Sequence, residues 1–337
     1  MKFRSEKKQL IVQYILEKIA EQKEGLSRHV ADTFSISTNT VHSYLKELLN
    51  DGVIEKSKRD QYHLTTQKYT YFLRRSEGHL DTDTYALDTC LMPHIGELPE
   101  NIKKIWEYAF SEMTNNVMDH SHAETVLIEI QKSSPRTTAV IVDDGVGIFE
   151  KIKQHFGFAT LDDAVCELFK GKLTTDSEHH SGEGIFFTSR MMDSFLITSC
   201  GKVFATTKYD DDMIADWEGR EKGTGVFMSL SNQTNKTVRD IFDEYADVDG
   251  GFTQTSIPLK HIFDTAPVSR SQAKRICHRL DEFQEVTLDF EGLTWMGQGF
   301  AHQIFVVYQK AHPNIRITPI NMEDGVRRMY DHVIHSA

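Results

Sequence analysis

The chain has 337 residues, of which 39% are hydrophobic and 26% charged, and this globular composition excludes disorder for most of its length. The length exceeds the usual size of one domain, so we expect two or three domains. No segment approaches twenty consecutive apolar residues, which predicts a cytoplasmic protein with no membrane partner. The formal net charge is −12, yet residues 1–75 hold 14 Lys and Arg against 9 Asp and Glu. A basic amino-terminal part therefore precedes an acidic body.

Three short helices and a hairpin are predicted in the basic part. Apolar residues recur with a helical period over residues 6–22 and over residues 37–50. Between them, a short helix is predicted from an N-cap at Ser27 to residue 34. The β-rich segments 53–56 and 61–64 flank a charged tip, as in a hairpin. This pattern resembles a winged helix-turn-helix, in which the second helix of the motif enters the major groove of double-stranded DNA.

The resemblance implies two classes of DNA-contacting residue. The base-reading candidates at the start of the third helix are Thr38, Asn39, Thr40, His42 and Ser43. The phosphate contacts are Lys46, Lys58 and Arg59. Winged helices often dimerise on palindromic sites, so a homodimer is expected. The alternative is a protein-interaction module, which some winged helices are, but the basic charge favours DNA.

Four motifs between residues 85 and 262 share the residue types that bind a nucleotide. They are the pair Glu112 and Asn116, the run Asp143-Asp144-Gly145-Val146-Gly147, the run Ser181-Gly182-Glu183-Gly184, and Thr224 between two glycines. Glu112 and Asn116 stand four residues apart on a predicted helix, so both face one ligand. The run that begins at Asp143 follows two predicted antiparallel strands, at 125–130 and 138–142.

The order and content of these motifs resemble the GHKL superfamily, the ATP-binding fold of gyrase B, heat-shock chaperones, MutL and histidine kinases. The form S-E-x-x-x-N-x-x-x-H of the first motif is most similar to bacterial anti-sigma-factor serine kinases. The resemblance implies a two-layer α/β sandwich that binds ATP with Mg²⁺.

The same resemblance implies a role for each residue. Glu112 would be the general base for an attacking water or hydroxyl, and Asn116 would hold Mg²⁺ against the triphosphate. Asp143 would accept the adenine amino group with support from Thr224, while Asp144 and Asn115 are the rivals of Asp143 and Asn116. The other implied ATP-binding residues are Gly145, Gly147, Lys172, Thr174, Thr175, Ser181, Gly182 and Gly184.

Residues 268–337 predict an α-β-α-β-α order, with strands at 285–290 and 315–319. A β-α-β unit implies parallel strands with a right-handed crossover. This segment resembles STAS domains, the fold of anti-anti-sigma proteins, and implies a protein partner. Such proteins carry a phosphorylatable Ser or Thr at the strand-to-helix turn, whereas this turn reads Met296-Gly297-Gln298-Gly299. A phosphorylation target is therefore not expected at the turn.

The predicted fold class is a multidomain combination of α+β and α/β. It comprises a winged helix at 1–75, a GHKL domain at 85–262 and a small STAS-like α/β domain at 268–337. Two functions compete. The first is an ATP-binding and ATP-hydrolysing DNA-binding transcriptional regulator, in which Mg-ATP switches the conformation. The second is a serine/threonine protein kinase of the anti-sigma type that uses the STAS-like domain for docking.

Overall fold

The computed structural model describes residues 2–58, 61–82, 84–173, 182–206, 222–246, 251–263 and 265–336, with side chains from residue 7 onward except that of Lys58. Within these residues the chain is a mixed α/β protein with three β-sheets. Two hydrophobic cores hold it together, one in the amino-terminal part and one shared by the rest.

The amino-terminal unit, residues 2–64, has the predicted order of three helices and a hairpin. Its elements are α1 (Lys2–Ala20), α2 (Leu26–Phe34), α3 (Thr38–Asn50), β1 (Ile54–Lys58) and β2 (Gln61–Leu64). The core residues Ile15, Val30 and Val41 are fully buried, each from a different helix. The predicted N-cap at Ser27 is wrong, because α2 begins at Leu26 after Gly25, which adopts the left-handed conformation with φ 65°.

The central sheet has six strands, and every neighbouring pair is antiparallel. Their spatial order is β3 (Gln67–Arg74), β4 (Thr125–Lys132), β5 (Arg136–Asp143), β8 (Thr224–Ser231), β6 (Ser194–Ser199) and β7 (Lys202–Ala205). In β4, Val126, Ile128 and Ile130 are buried while the residues between them are more exposed, so one face of the sheet packs on the core. The predicted antiparallel pair of β4 and β5 is confirmed.

Six helices among the described residues accompany the central sheet. They are α4 (Met92–Ile95, preceded by the π-helical turn Leu87–Leu91), α5 (Glu100–Asn116, followed by the π-helical turn Val117–Ser121), α6 (Ile148–Phe156), α7 (Leu161–Lys170), α8 (Gly184–Met191) and α9 (Val238–Tyr245). Trp106 and Phe110 of α5 are fully buried in the same core as the inner face of β4.

The carboxy-terminal sheet has three parallel strands in the order β11 (Arg316–Ile320), β10 (Glu285–Asp289) and β9 (Gln254–Pro258). The helices around it are α10 (Leu259–Ile262), α11 (Arg270–Cys277), α12 (Gln298–His302, continued by the π-helical turn Gln303–Tyr308 and by Gln309–Ala311) and α13 (Asp324–His335). The predicted parallel β-α-β unit is confirmed by the pairing of β10 with β11.

The sheets do not end at the domain boundaries predicted from the sequence. Strand β3 lies inside the predicted segment 1–75, yet it pairs along its whole length with β4 of the central sheet. Strand β9 lies inside the predicted segment 85–262, yet it pairs with β10. Neither strand was predicted from the sequence, and each ladder joins residues far apart in the chain, which a local pattern does not relate.

Candidate functional site

A cavity opens where α5, α8 and strand β8 meet the start of α6. Seven residues predicted to form the nucleotide site lie in its wall: Glu112, Asn116, Asp143, Gly147, Gly182, Gly184 and Thr224. They come from all four sequence motifs and span more than a hundred residues of chain. The fold therefore brings together side chains that the sequence related only by their order.

Asp143, rather than Asp144, is the carboxylate that faces the cavity. Asp143 is 4% exposed at the end of β5, and its Oδ1 accepts a hydrogen bond of 2.8 Å from the Gly145 N–H. The hydroxyl of Thr224 lies against the same carboxylate and accepts a bond of 3.0 Å from the Ile148 N–H. Burial raises the pKa of Asp143 to about 6, although the hydrogen bonds from Gly145 and Thr224 oppose the shift.

Asp144 has a structural role instead. Its Oδ1 accepts bonds from the N–H groups of Glu124 and Thr125, and its Oδ2 accepts one of 2.7 Å from the Thr125 hydroxyl. These three bonds hold the first residue of β4 beside the end of β5. The two adjacent carboxylates at the end of β5 thus have different partners, and Asp143 is the one in the cavity wall.

Two glycines allow the chain to pass close to cavity residues. A Cβ atom on Gly145 would overlap the Ser121 carbonyl, and one on Gly184 would overlap the Glu112 carboxylate. Gly184 is the first residue of α8, so Glu112 lies beside the amino end of that helix. A helix amino terminus has free N–H groups and a partial positive charge, which favour a negatively charged group.

Helix α5 presents the first motif to the cavity. Glu112 and Asn116 both line the wall, one turn apart, whereas Asn115 is not part of it. The π-helical turn that follows α5 carries His120 into the same wall. The i, i+4 spacing of Glu112, Asn116 and His120 is the signal that the sequence offered for this arrangement.

Helix α6 contributes residues that sequence reasoning missed. Ile148, Lys151 and Ile152 line the cavity, and the Lys151 ammonium donates a bond of 2.9 Å to the His120 carbonyl oxygen. The sequence offered one signal for Lys151, because it follows Gly147 by four residues, which make one helical turn. Apolar side chains complete the wall: Met113, Val117, Leu168, Leu173, Ile185, Ile197 and Val226.

The side chain of Lys172, predicted to bind ATP, is directed to another part of the molecule. Its ammonium donates a bond of 2.8 Å to the Glu282 carbonyl oxygen and lies over the rings of Phe252 and Phe283. The electron-rich faces of the two rings and the carbonyl dipole stabilise the Lys172 ammonium at this position, which explains its direction. The next residue, Leu173, does line the cavity. Thr174, Thr175 and Ser181 lie outside the described residues.

The predicted DNA-contacting residues of α3 share one exposed face. Val41, Leu45 and Leu48 turn inward, so the opposite face is open to solvent and exposes these five: Thr38, Asn39, His42, Ser43 and Lys46. Thr40 differs, because it is half-buried and both its N–H and its hydroxyl contact the Ser37 hydroxyl that caps the helix. The Lys58 side chain and Arg59 lie outside the described residues.

No group of three or more His, Cys, Asp or Glu side chains is arranged to hold a metal ion in the part of the chain that the structure describes. The residues of the cavity wall still fit Mg²⁺ bound together with a nucleotide, because Mg²⁺ takes most of its ligands from water and substrate phosphates and few from the protein. Asn116 lines the cavity, and its side-chain amide oxygen is of the ligand type that Mg²⁺ accepts, so it would be the protein ligand.

Comparison with known proteins identifies the carboxy-terminal part. Residues 272–327 match the model of a family described as a STAS-like domain of unknown function (DUF4325). No curated protein matches the chain. None of the helices among the described residues is long and apolar enough to cross a membrane. The matched segment runs from α11 into α13 and contains the parallel pair of β10 and β11. The carboxy-terminal part of this chain is therefore a STAS-like domain.

Proposed function

We propose that this protein is a DNA-binding transcriptional regulator whose central GHKL-type domain binds and hydrolyses Mg-ATP. The observation that carries the proposal is the convergence of four separated motifs on one cavity, with a buried carboxylate at one wall and the Glu112–Asn116 pair at another. Concave sites with apolar walls and a few fixed polar groups are typical of nucleotide and cofactor binding.

The cavity has the chemistry that adenine requires. The Asp143 carboxylate is an acceptor for the exocyclic amino group, and Thr224 orients it through a hydrogen bond. Apolar side chains such as Ile148, Ile197 and Val226 offer a surface for the faces of the base. A base that lacks the amino group would give the buried carboxylate no donor of its own, and this costs binding free energy.

The part of the wall that α5 and α8 form has the chemistry that a triphosphate requires. Asn116 would hold Mg²⁺, which neutralises the phosphate charge, and the amino end of α8 at Gly184 would accept a phosphate oxygen. Glu112 lies beside Gly184, so its carboxylate would take a proton from the water that attacks the terminal phosphate. The displaced group is ADP, and the products are ADP and inorganic phosphate.

The outer parts of the chain support regulation. The exposed face of α3 carries hydroxyl, amide, imidazole and ammonium groups at its first three turns, a composition that suits the major groove of double-stranded DNA in a winged helix. The STAS-like domain would bind a protein partner. ATP that binds one conformation more tightly would shift the population of conformations, including that of a homodimer on DNA.

The second candidate is a serine/threonine protein kinase of the anti-sigma type. The STAS-like family of residues 272–327 favours it, because such kinases act with STAS partners. The turn of this chain contains Met296, Gly297, Gln298 and Gly299 and no hydroxyl, so the phosphate acceptor would have to come from another protein. The kinase would use the STAS-like domain for docking.

One labelling experiment tests both candidates. Purified protein is incubated with γ-labelled ATP and Mg²⁺, and the label is followed into free phosphate or onto protein. We expect free phosphate, with at least a hundredfold lower rate in Glu112→Gln and retained nucleotide binding, since the base is lost but the pocket is not. Asn116→Ala should lose Mg-dependent binding.

The control is Glu107→Gln, which changes a carboxylate on α5 outside the cavity wall and should leave the rate unchanged. Covalent label on this protein, or on a partner protein added to the mixture, would favour the kinase. Failure of the wild-type protein to bind nucleotide in the presence of Mg²⁺ would contradict both candidates.

A further inference from the structure

The charges in the cavity wall are unfavourable for a polyphosphate. Two carboxylates, Glu112 and Asp143, line the cavity, and both repel an anion at neutral pH. Lys151 is the one Lys or Arg among the described residues of the wall. ATP carries about four negative charges, and like charges within a few ångströms repel strongly where water is partly excluded. A cation from the protein would therefore lower this repulsion further than Mg²⁺ alone.

Lys151 lies in the cavity wall, where its ammonium can offset the charge of a phosphate. Its N–H donates a bond to the carbonyl oxygen of Gly147, and the next residue, Ile148, contacts Thr224, where the base is proposed to bind. Its ammonium reaches across to the His120 carbonyl, one turn beyond Asn116 on the neighbouring wall. The positive charge thus lies in the cavity wall, beside the turn that follows Asn116.

The neighbouring lysine of the same helix is arranged differently. Lys153 does not line the cavity, and its ammonium pairs with Glu150, at 3.4 Å and one turn away on the surface. Both lysines carry one positive charge and belong to α6, but they lie on different sides of this helix. This difference makes Lys153 a matched control.

We propose that Lys151 is a phosphate-binding residue of the nucleotide site and discriminates ATP from adenosine. The inference rests on the proposed function and assigns one of its contacts. An ammonium group has three N–H donors, so the bond to the His120 carbonyl persists while a phosphate oxygen accepts another. Charge-assisted bonds of this kind are about twice as strong as neutral ones.

The test measures the binding of ATP, ADP and adenosine to wild-type protein, Lys151→Gln and Lys153→Gln by isothermal titration calorimetry with Mg²⁺. We expect Lys151→Gln to bind ATP at least tenfold more weakly, ADP more weakly by a smaller factor, and adenosine within twofold of wild type. Lys151→Arg, which keeps the charge, should recover most of the ATP affinity. Lys153→Gln should match wild type for all three ligands.

The outcomes separate this inference from the proposed function. An equal loss for ATP and adenosine would show that Lys151 only supports the turn at His120, and an unchanged ATP affinity would exclude the contact; either result overturns the inference alone. Wild-type protein that binds neither ATP nor adenosine overturns the proposed function and the inference with it. If Lys151→Gln does not fold, Lys151→Met, which keeps the aliphatic part of the side chain and removes the charge, replaces it and is measured with the same three ligands.

Discussion

The Lys170 ammonium lies 2.7 Å from the Glu167 carboxylate, and both side chains are almost completely buried. The same ammonium donates to the carbonyl oxygens of Arg275 and His278 at the carboxy end of α11, at 2.9 Å and 2.7 Å. Glu167 in turn accepts a bond of 3.3 Å from Arg279. This network of buried charges therefore joins α7, which packs with the central sheet, to the helix that begins the STAS-like domain.

The first prediction concerns this buried pair. Lys170→Met leaves the Glu167 carboxylate buried without its closest cation and removes the bonds to the end of α11. We expect the free energy of unfolding to fall by about 3 kcal/mol, the lower end of the usual cost of removing one partner of a buried pair, because Arg279 still contacts Glu167. Urea denaturation followed by circular dichroism measures it.

The matched control is Lys202→Met. Lys202, on β7, pairs with Asp162 of α7, but both side chains are exposed. Surface pairs of this kind contribute about 1 kcal/mol or less. Equal losses for the two variants would contradict the structural role of the Lys170–Glu167 pair.

The second prediction concerns the pH dependence of adenine binding. Because burial raises the pKa of Asp143 to about 6 from an ordinary 3.8, the folded protein binds more protons than the unfolded chain between these values. The contribution of the Asp143 carboxyl to the free energy of unfolding thus decreases as the pH rises from about 4 to 6. Adenosine, which needs the ionised acceptor, should bind more weakly as the pH falls below 6.

Asp143→Asn provides the comparison for this pH effect. Its side chain does not titrate, so its adenosine affinity should be at least tenfold lower at pH 8 and should not respond to this proton between pH 5 and 8. Calorimetric titrations at several pH values measure both proteins. Parallel profiles for the variant and the wild type would exclude Asp143 as the titrating group.

The third prediction concerns DNA binding by α3. Lys46 is exposed on the face of α3 opposite the core, and the proposed phosphate contact would release about one counterion. Lys46→Ala should therefore weaken binding to all DNA sequences and reduce the slope of log affinity against log salt by about one. Fluorescence anisotropy with labelled duplex DNA at several salt concentrations measures this slope.

Lys68→Ala is the control for the same measurement, because Lys68 is an exposed lysine of the central sheet that pairs with Glu129. It removes one positive charge from the protein without touching α3. If it reduces the slope as much as Lys46→Ala does, the effect comes from net charge and not from the proposed interface.

The fourth prediction concerns close packing at Gly145. A Cβ atom there would overlap the Ser121 carbonyl, so Gly145→Ala must displace the loop that carries Asp143 or the turn that carries His120. We expect adenosine and ATP affinity to fall together by at least tenfold. Gly96→Ala adds a methyl group whose nearest neighbour is the Met92 carbonyl at 4.0 Å, and calorimetry should detect no change for it.

Local pattern was sufficient for most helices and strands. The periodic apolar residues of α3 and the β-rich runs of β4 and β5 predicted elements that the structure confirms to within a few residues. The spacing of Glu112 and Asn116 also predicted that both face the same side of α5, because four residues make one turn of a helix. These features depend on neighbours in sequence, so the sequence by itself determined them.

The tertiary structure decided where these elements meet. The pairing of β3 with β4 and of β9 with β10, the choice of Asp143 over Asp144, and the direction of Lys172 away from the cavity all depend on contacts between distant segments. Lys151 enters the wall only because α6 packs beside the turn that follows α5. Burial and hydrogen-bond partners are properties of the packed chain, whereas the local pattern that predicts an element is the same in every packing.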